Sequence, residues 1–159
     1  MRAFITVVVL IVCCLLQALA AKYIVFCHIR LEFVLIAVVF YSLRMDLLPA
    51  ALVGVAGGLL KDSLSSAPYG SSAMALFILA VTLSWNRRYL SAGSAVTQIL
   101  LVVSSILLYG LLSGLVKLLF GAGFPAFLTL KYAVPILVAN ALVAPPCFKI
   151  IGFVDHEMA

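Results

Sequence analysis

The chain has 159 residues, of which 67% are hydrophobic and only 9% charged, and its mean hydropathy is +1.33. A soluble domain of this length carries about a quarter of its residues as charges, so there is too little polar surface here to cover a water-exposed fold. The formal charge of +5 is scattered, with Arg87-Arg88 the only adjacent basic pair among the lysines and arginines, and no basic stripe interleaved with aromatics. Nucleic-acid binding is excluded on that footing.

Helices are the plausible spanning structure at this hydrophobicity, because every backbone polar group in lipid must be satisfied within its own segment. The expected fold is an all-α integral membrane protein, about six transmembrane helices in one compact bundle, forming a single domain over 1–159. The first apolar run, 3–21, contains one polar residue, Gln17. It follows Arg2 and ends near Ala18-Leu19-Ala20, which imitates a signal peptide; a retained first helix is the reading adopted. The second run, 31–44, carries Glu32 at its start, and Arg44 to Asp46 make a tight turn. The third, 47–62, has Pro49 in its first turn, where the missing amide does no harm. Runs two and three are short for a hydrocarbon layer of about 30 Å, so they either draw in flanking charges or lie partly at the interface.

A polar turn with Pro68 and Gly70 leads to the fourth run, 67–85. Ser65 or Ser66 is a candidate cap for that helix, with Pro68 in its first turn. Trp85 at its end suits the interfacial belt. The fifth run, 95–120, is the longest. Gly121 to Lys131 forms a loop whose Phe124, Phe127 and Leu128 place it on the membrane surface. The sixth run, 132–154, is interrupted by Pro135 and by Pro145-Pro146. With six spans, the basic residues divide five to five between the two sides. The Arg87-Arg88 cluster tips the choice towards both termini being cytoplasmic.

Chemistry-bearing patterns are absent from the sequence. His28 and His156 lack partnered nucleophiles and carboxylates, and no zinc, hydrolase or phosphate-loop motif occurs. Glu32, Asp46 and Asp62 fall at helix ends rather than in mid-membrane. The four cysteines, Cys13, Cys14, Cys27 and Cys147, have no metal spacing. The expectation is a protein that is not an enzyme and holds no cofactor or metal. What stands out is packing glycine. Gly54 and Gly58 form a G-x-x-x-G pair with Gly57 beside them, and Gly110 and Gly114 repeat that spacing in the fifth run. Small residues let helix backbones approach closely, either within one bundle or against a partner helix. Asp62 ends the glycine-bearing helix, as a structural cap or as the holder of a charged partner.

The run Gly57-Gly58-Leu59-Leu60-Lys61-Asp62, followed by Ser65-Ser66-Ala67-Pro68-Tyr69-Gly70 and a further apolar helix, resembles the MreD family of bacterial rod-shape proteins. The similarity extends over most of the chain: a short helix with Tyr41, the turn at Arg44 to Asp46, the Gly54-bearing helix, a long fifth helix and a last helix with Pro145. Glu32 departs from the proline that many relatives carry. The resemblance implies a non-enzymatic scaffold of the elongasome in the bacterial cytoplasmic (inner) membrane. Its partners would be the single transmembrane helix of an MreC-like protein and, indirectly, MreB, RodA and a class B transpeptidase. It also implies a fold related to the substrate-binding subunits of energy-coupling-factor transporters. The rival expectation is therefore a vitamin-type binding subunit, with Tyr23, Phe26, His28 and Arg30 as a candidate pocket lining. On the scaffold reading the helix-packing or partner-binding residues are Gly54, Gly57, Gly58, Asp62, Pro68 and Gly70, with Gly110 and Gly114 as a second packing face.

Overall fold

In the computed structural model a short helix lies at the centre and is covered on all sides. Residues 2–23, 31–64, 69–90, 94–119 and 130–157 are described. They form six α-helices and no strand: α1 (Arg2–Tyr23), α2 (Phe33–Arg44), α3 (Leu47–Ser63), α4 (Ser71–Trp85), α5 (Ala95–Leu119) and α6 (Leu130–Glu157). The central helix is α2. Every residue from Val34 to Ser42 is buried, and α2 packs against each of the other five helices. A helix apolar on its whole circumference has no face to present to water, and α2 is that kind of sequence, FVLIAVVFYSLR.

Its 12 residues make a rod of about 18 Å at 1.5 Å per residue. α3 and α4 run to 17 and 15 residues, and α3 makes its most extensive contact with α4. Ser42 Oγ donates to Val38 O at 2.7 Å and Thr82 Oγ1 to Ile78 O at 2.8 Å, each within its own helix, which hides their polarity.

Several sequence expectations need redrawing. α4 begins at Ser71 rather than at residue 67, so Pro68 precedes the helix instead of sitting in its first turn. Residues 65–68, with the expected Ser65 or Ser66 cap, lie outside the described residues. The loop with Phe124, Phe127 and Leu128 also lies outside them. α6 is one helix from Leu130 to Glu157 with Pro135, Pro145 and Pro146 inside it, so the prolines do not interrupt the run. A proline removes one donor and crowds the carbonyl four residues earlier, a local cost that the helix absorbs.

Among the described residues two helical segments, Ala95–Val116 and Val134–Asp155, are long and apolar enough to cross a membrane, and Ile5–Ala20, Phe33–Arg44 and Ser71–Trp85 are shorter apolar helices. Large apolar side chains cover the outside of the bundle. On α1 they are Val7, Val8, Ile11, Val12, Leu15, Leu16 and Leu19; on α6 Val134, Val138, Leu142, Ile150 and Phe153.

Candidate functional site

The two halves of the α3–α4 hairpin meet along a stripe with a four-residue repeat. Gly54, Gly58 and Asp62 are spaced i, i+4, i+8, which puts them one above the other on a single helical face, and all three are buried. Each meets α4. A Cβ built on Gly54 falls 2.6 Å from Leu76 O and 2.9 Å from Ala80 Cβ, and one built on Gly58 falls 2.2 Å from Ala73 Cα. Only glycine lets the two backbones approach this closely. Gly57 faces elsewhere, towards Val34 and Val38 of α2 and Leu10 of α1. The glycines of α3 are thus occupied by contacts inside the bundle, with no space for a helix from another protein. Gly110 and Gly114 of α5 are buried as well, with Ser113 Oγ donating to Gly110 O at 3.2 Å.

Asp62 completes the stripe. Its side chain is fully buried and reaches the start of α4, where amide protons have no partner within the helix. Gly70 N donates to Oδ2 at 2.8 Å, Ser72 N donates to Oδ1 at 3.1 Å and Oδ2 at 3.2 Å, and Ala73 N donates to Oδ2 at 3.3 Å. Gly70 occupies the N-cap position with φ +91°, a left-handed conformation that favours glycine, and it has no side chain of its own to cap with. The carboxylate therefore comes from the neighbouring helix, and its negative charge sits at the positive end of the α4 dipole.

Beside this cap lies a group of polar side chains. Lys61 forms an ion pair with Glu32, both side chains being largely buried. Its ammonium also stands 4.1 Å from the centre of the Tyr109 ring, a cation–π contact that gains strength out of water. The Tyr109 hydroxyl is 3.0 Å from that of Ser72. Glu32 N donates to Asn140 Oδ1 at 2.8 Å, Asn140 Nδ2 donates to Ile136 O at 2.8 Å, and Val34 N donates to Gln17 Oε1 at 3.3 Å. The unpartnered first-turn amides of α2 are thereby capped from α6 and α1. Gln17, Glu32, Lys61 with Asp62, Ser72, Tyr109 and Asn140 come from α1, the start of α2, α3, α4, α5 and α6. One polar cluster ties the whole bundle together at this end.

Of the expected site residues, the structure brings together Gly54, Gly58, Asp62 and Gly70, turns Gly57 to a different neighbour, and leaves Gly110 and Gly114 on another helix. Pro68, Phe26, His28 and Arg30 lie outside the described residues, as does the side chain of Tyr23. Sequence reasoning missed Lys61, Tyr109 and Asn140 as members of the cluster and took Glu32 only as a helix-end charge. The signal available was their isolation, since a lone polar residue within an apolar run needs a partner. Among the described residues no three His, Cys, Asp or Glu side chains gather as a metal site.

No protein-family model matches the chain, and neither a curated protein nor a solved structure is similar enough to count as a match.

Proposed function

We propose that the chain is a multi-pass protein of the bacterial cytoplasmic membrane and acts there as a scaffold of the MreD type. It would bind the transmembrane helix of an MreC-like protein and thereby help couple MreB filaments to RodA and its class B transpeptidase. The membrane part of this reading rests on where the apolar surface lies. In an 18-residue apolar stretch of the segment Val134–Asp155 only 28% of the residues are buried in the bundle, whereas the core helix of a soluble protein is mostly covered. Leu142 is 72% exposed and Leu48 74%, and apolar surface spread over a whole bundle is not compatible with water. The short α2 fits as well: enclosed by other helices, it never has to match the thickness of the bilayer.

The scaffold part is carried by one observation, the mutual satisfaction of the polar groups in this cluster. A ligand pocket is built from a few polar groups that converge on empty space. Here Asp62 is taken up by the amides of α4, Glu32 by Lys61, Tyr109 by Ser72 and Asn140 by the first turn of α2. These groups lock the helices to one another, and the surface left for a partner helix is the apolar exterior. The glycines of α3 belong to the internal lock, so an MreC-like helix would dock elsewhere, on an outward face.

The test is to fractionate cells producing the chain and to co-purify it from the membrane with a co-expressed MreC-like protein. Recovery of a stoichiometric complex supports the scaffold. A small molecule held in stoichiometric amount, together with association with an ATPase module, would instead support the transporter subunit and sink the scaffold reading.

A further inference from the structure

At the end of the bundle opposite the polar cluster, a cavity of about 110 Å³ opens between α2, α5 and α6. Its lining divides by chemistry. Phe40, Leu43 and Phe148 make apolar walls, while Arg44, Gln98 and Lys149 supply polar heads. A single water needs about 10–15 Å³ of such space, so a tetrahedral phosphate has ample room. We propose that this cavity binds the phosphate of an anionic phospholipid.

The cations are placed for that ligand. The Arg44 guanidinium lies 4.5 Å from the centre of the Phe40 ring, which places it against the cavity wall. Only one of its nitrogens is engaged by an acidic side chain, Nη1 with Asp155 at 3.3 Å, and 54% of the side chain remains exposed. A guanidinium has five N–H donors, so most of them remain for an anion. Lys149 is exposed and makes no ion pair among the described residues. Among the described residues two cations, Arg44 and Lys149, stand against one carboxylate, Asp155, so this lining carries a net positive charge.

The apolar walls distinguish a lipid phosphate from a free one. Leu142 and Val138, on the same face of α6 as Lys149 and about two and three turns nearer the middle of the span, are 72% and 54% exposed, so acyl chains running inwards from the cavity find apolar surface. Basic pockets between helices at a membrane face are known to take phospholipid headgroups of this kind. The inference rests on the membrane location proposed above but not on the scaffold role. Failure to fractionate with membranes would reject the location, whereas a membrane-bound protein without lipid preference would reject only this site.

The experiment is native mass spectrometry of the detergent-purified full chain, titrated with mixed micelles of phosphatidylglycerol or phosphatidylcholine of matched acyl chains, and separately with inorganic phosphate. The expected result is one phosphatidylglycerol retained in preference to phosphatidylcholine. Lys149→Gln and Arg44→Gln should each weaken that retention about fivefold, as expected for one basic contact, while Lys149→Arg keeps it. The thermal midpoint of each variant, unchanged, would show that binding and not folding was altered. Equal retention of the two lipids, or undiminished retention by Lys149→Gln, would overturn the proposal. Displacement of phosphatidylglycerol by millimolar inorganic phosphate would overturn the lipid assignment in favour of free phosphate.

Discussion

The amide of Gly70 donates a 2.8 Å hydrogen bond to Asp62 Oδ2, so the N-cap residue of α4 is held from the last turn of α3. The same carboxylate also accepts from Ser72 N and Ala73 N. Asp62→Ala would leave three amides at a buried helix start without an acceptor, and each buried donor left unpaired costs about 1–3 kcal/mol. We expect a loss of about 3 kcal/mol or more, allowing for partial access of water. Asp62→Asn keeps one carbonyl oxygen and loses the charge at the helix dipole, so about half that loss is expected. Titration of the purified protein with denaturing detergent, followed by helical circular dichroism, measures both. Equal stability of Asp62→Ala and the wild type would remove the cap from this account.

Of the two adjacent glycines of α3, Gly58 should not tolerate a methyl group and Gly57 should. At Gly58 a Cβ would stand 2.2 Å from Ala73 Cα and 2.6 Å from Ala73 N, and backbone atoms cannot move aside without separating α3 from α4. Gly58→Ala should cost more than about 4 kcal/mol or abolish the folded protein. At Gly57 the neighbours are the methyl ends of Val38 and Val34, at 3.0 and 3.2 Å. A shift of a few tenths of an ångström relieves them, at a cost of about 1 kcal/mol that is offset by the better helix propensity of alanine. Gly57→Ala should therefore unfold close to the wild-type midpoint in the same titration.

Lys61 and Glu32 form a largely buried pair, for which removing one partner is worse than removing both. Lys61→Met leaves the Glu32 carboxylate without its counter-charge, and Glu32→Gln does the same to the ammonium. Each single change should cost about 3 kcal/mol. The double variant should be far more stable than the sum of the singles implies, because no uncompensated charge remains. A double-mutant cycle with unfolding as the readout gives the coupling directly. Additive losses would mean that the two charges do not interact.

The parts of this arrangement that were legible in the sequence are those set by local helical geometry. Gly54, Gly58 and Asp62 repeat at the helical period, so their shared face can be read from spacing alone. The outcome of that face cannot, because a glycine stripe fits an internal helix as well as a foreign one. The polar cluster was illegible for a different reason. Lys61 and Glu32 are 29 positions apart, and Glu32 N and Asn140 are 108 apart, so nothing in the local pattern pairs them. The brevity of α2 is visible in the sequence, where it poses a problem of spanning the bilayer. Its burial on all sides (Val34 to Ser42 without exception) recasts that brevity as the mark of a helix enclosed by its neighbours.

Asn140 offers the sharpest check on the long-range part of the cluster. It is fully buried within an otherwise apolar stretch of α6, and its Oδ1 accepts the proton of Glu32 N at 2.8 Å. Asn140→Leu is close in size and raises the hydrophobicity of α6, so insertion in the membrane should be unaffected or improved. The folded bundle, by contrast, loses the acceptor for the first amide of α2, a penalty of about 1–3 kcal/mol for a buried donor. Opening should therefore be local. Hydrogen exchange at the Glu32 amide should accelerate by more than about tenfold, the factor that corresponds to 1.4 kcal/mol, while amides in the middle of α5 keep their protection. Val34 N, capped separately by Gln17, provides the internal control and should change less than Glu32 N. An unchanged exchange rate at Glu32 in the Leu variant would show that α6 does not cap α2.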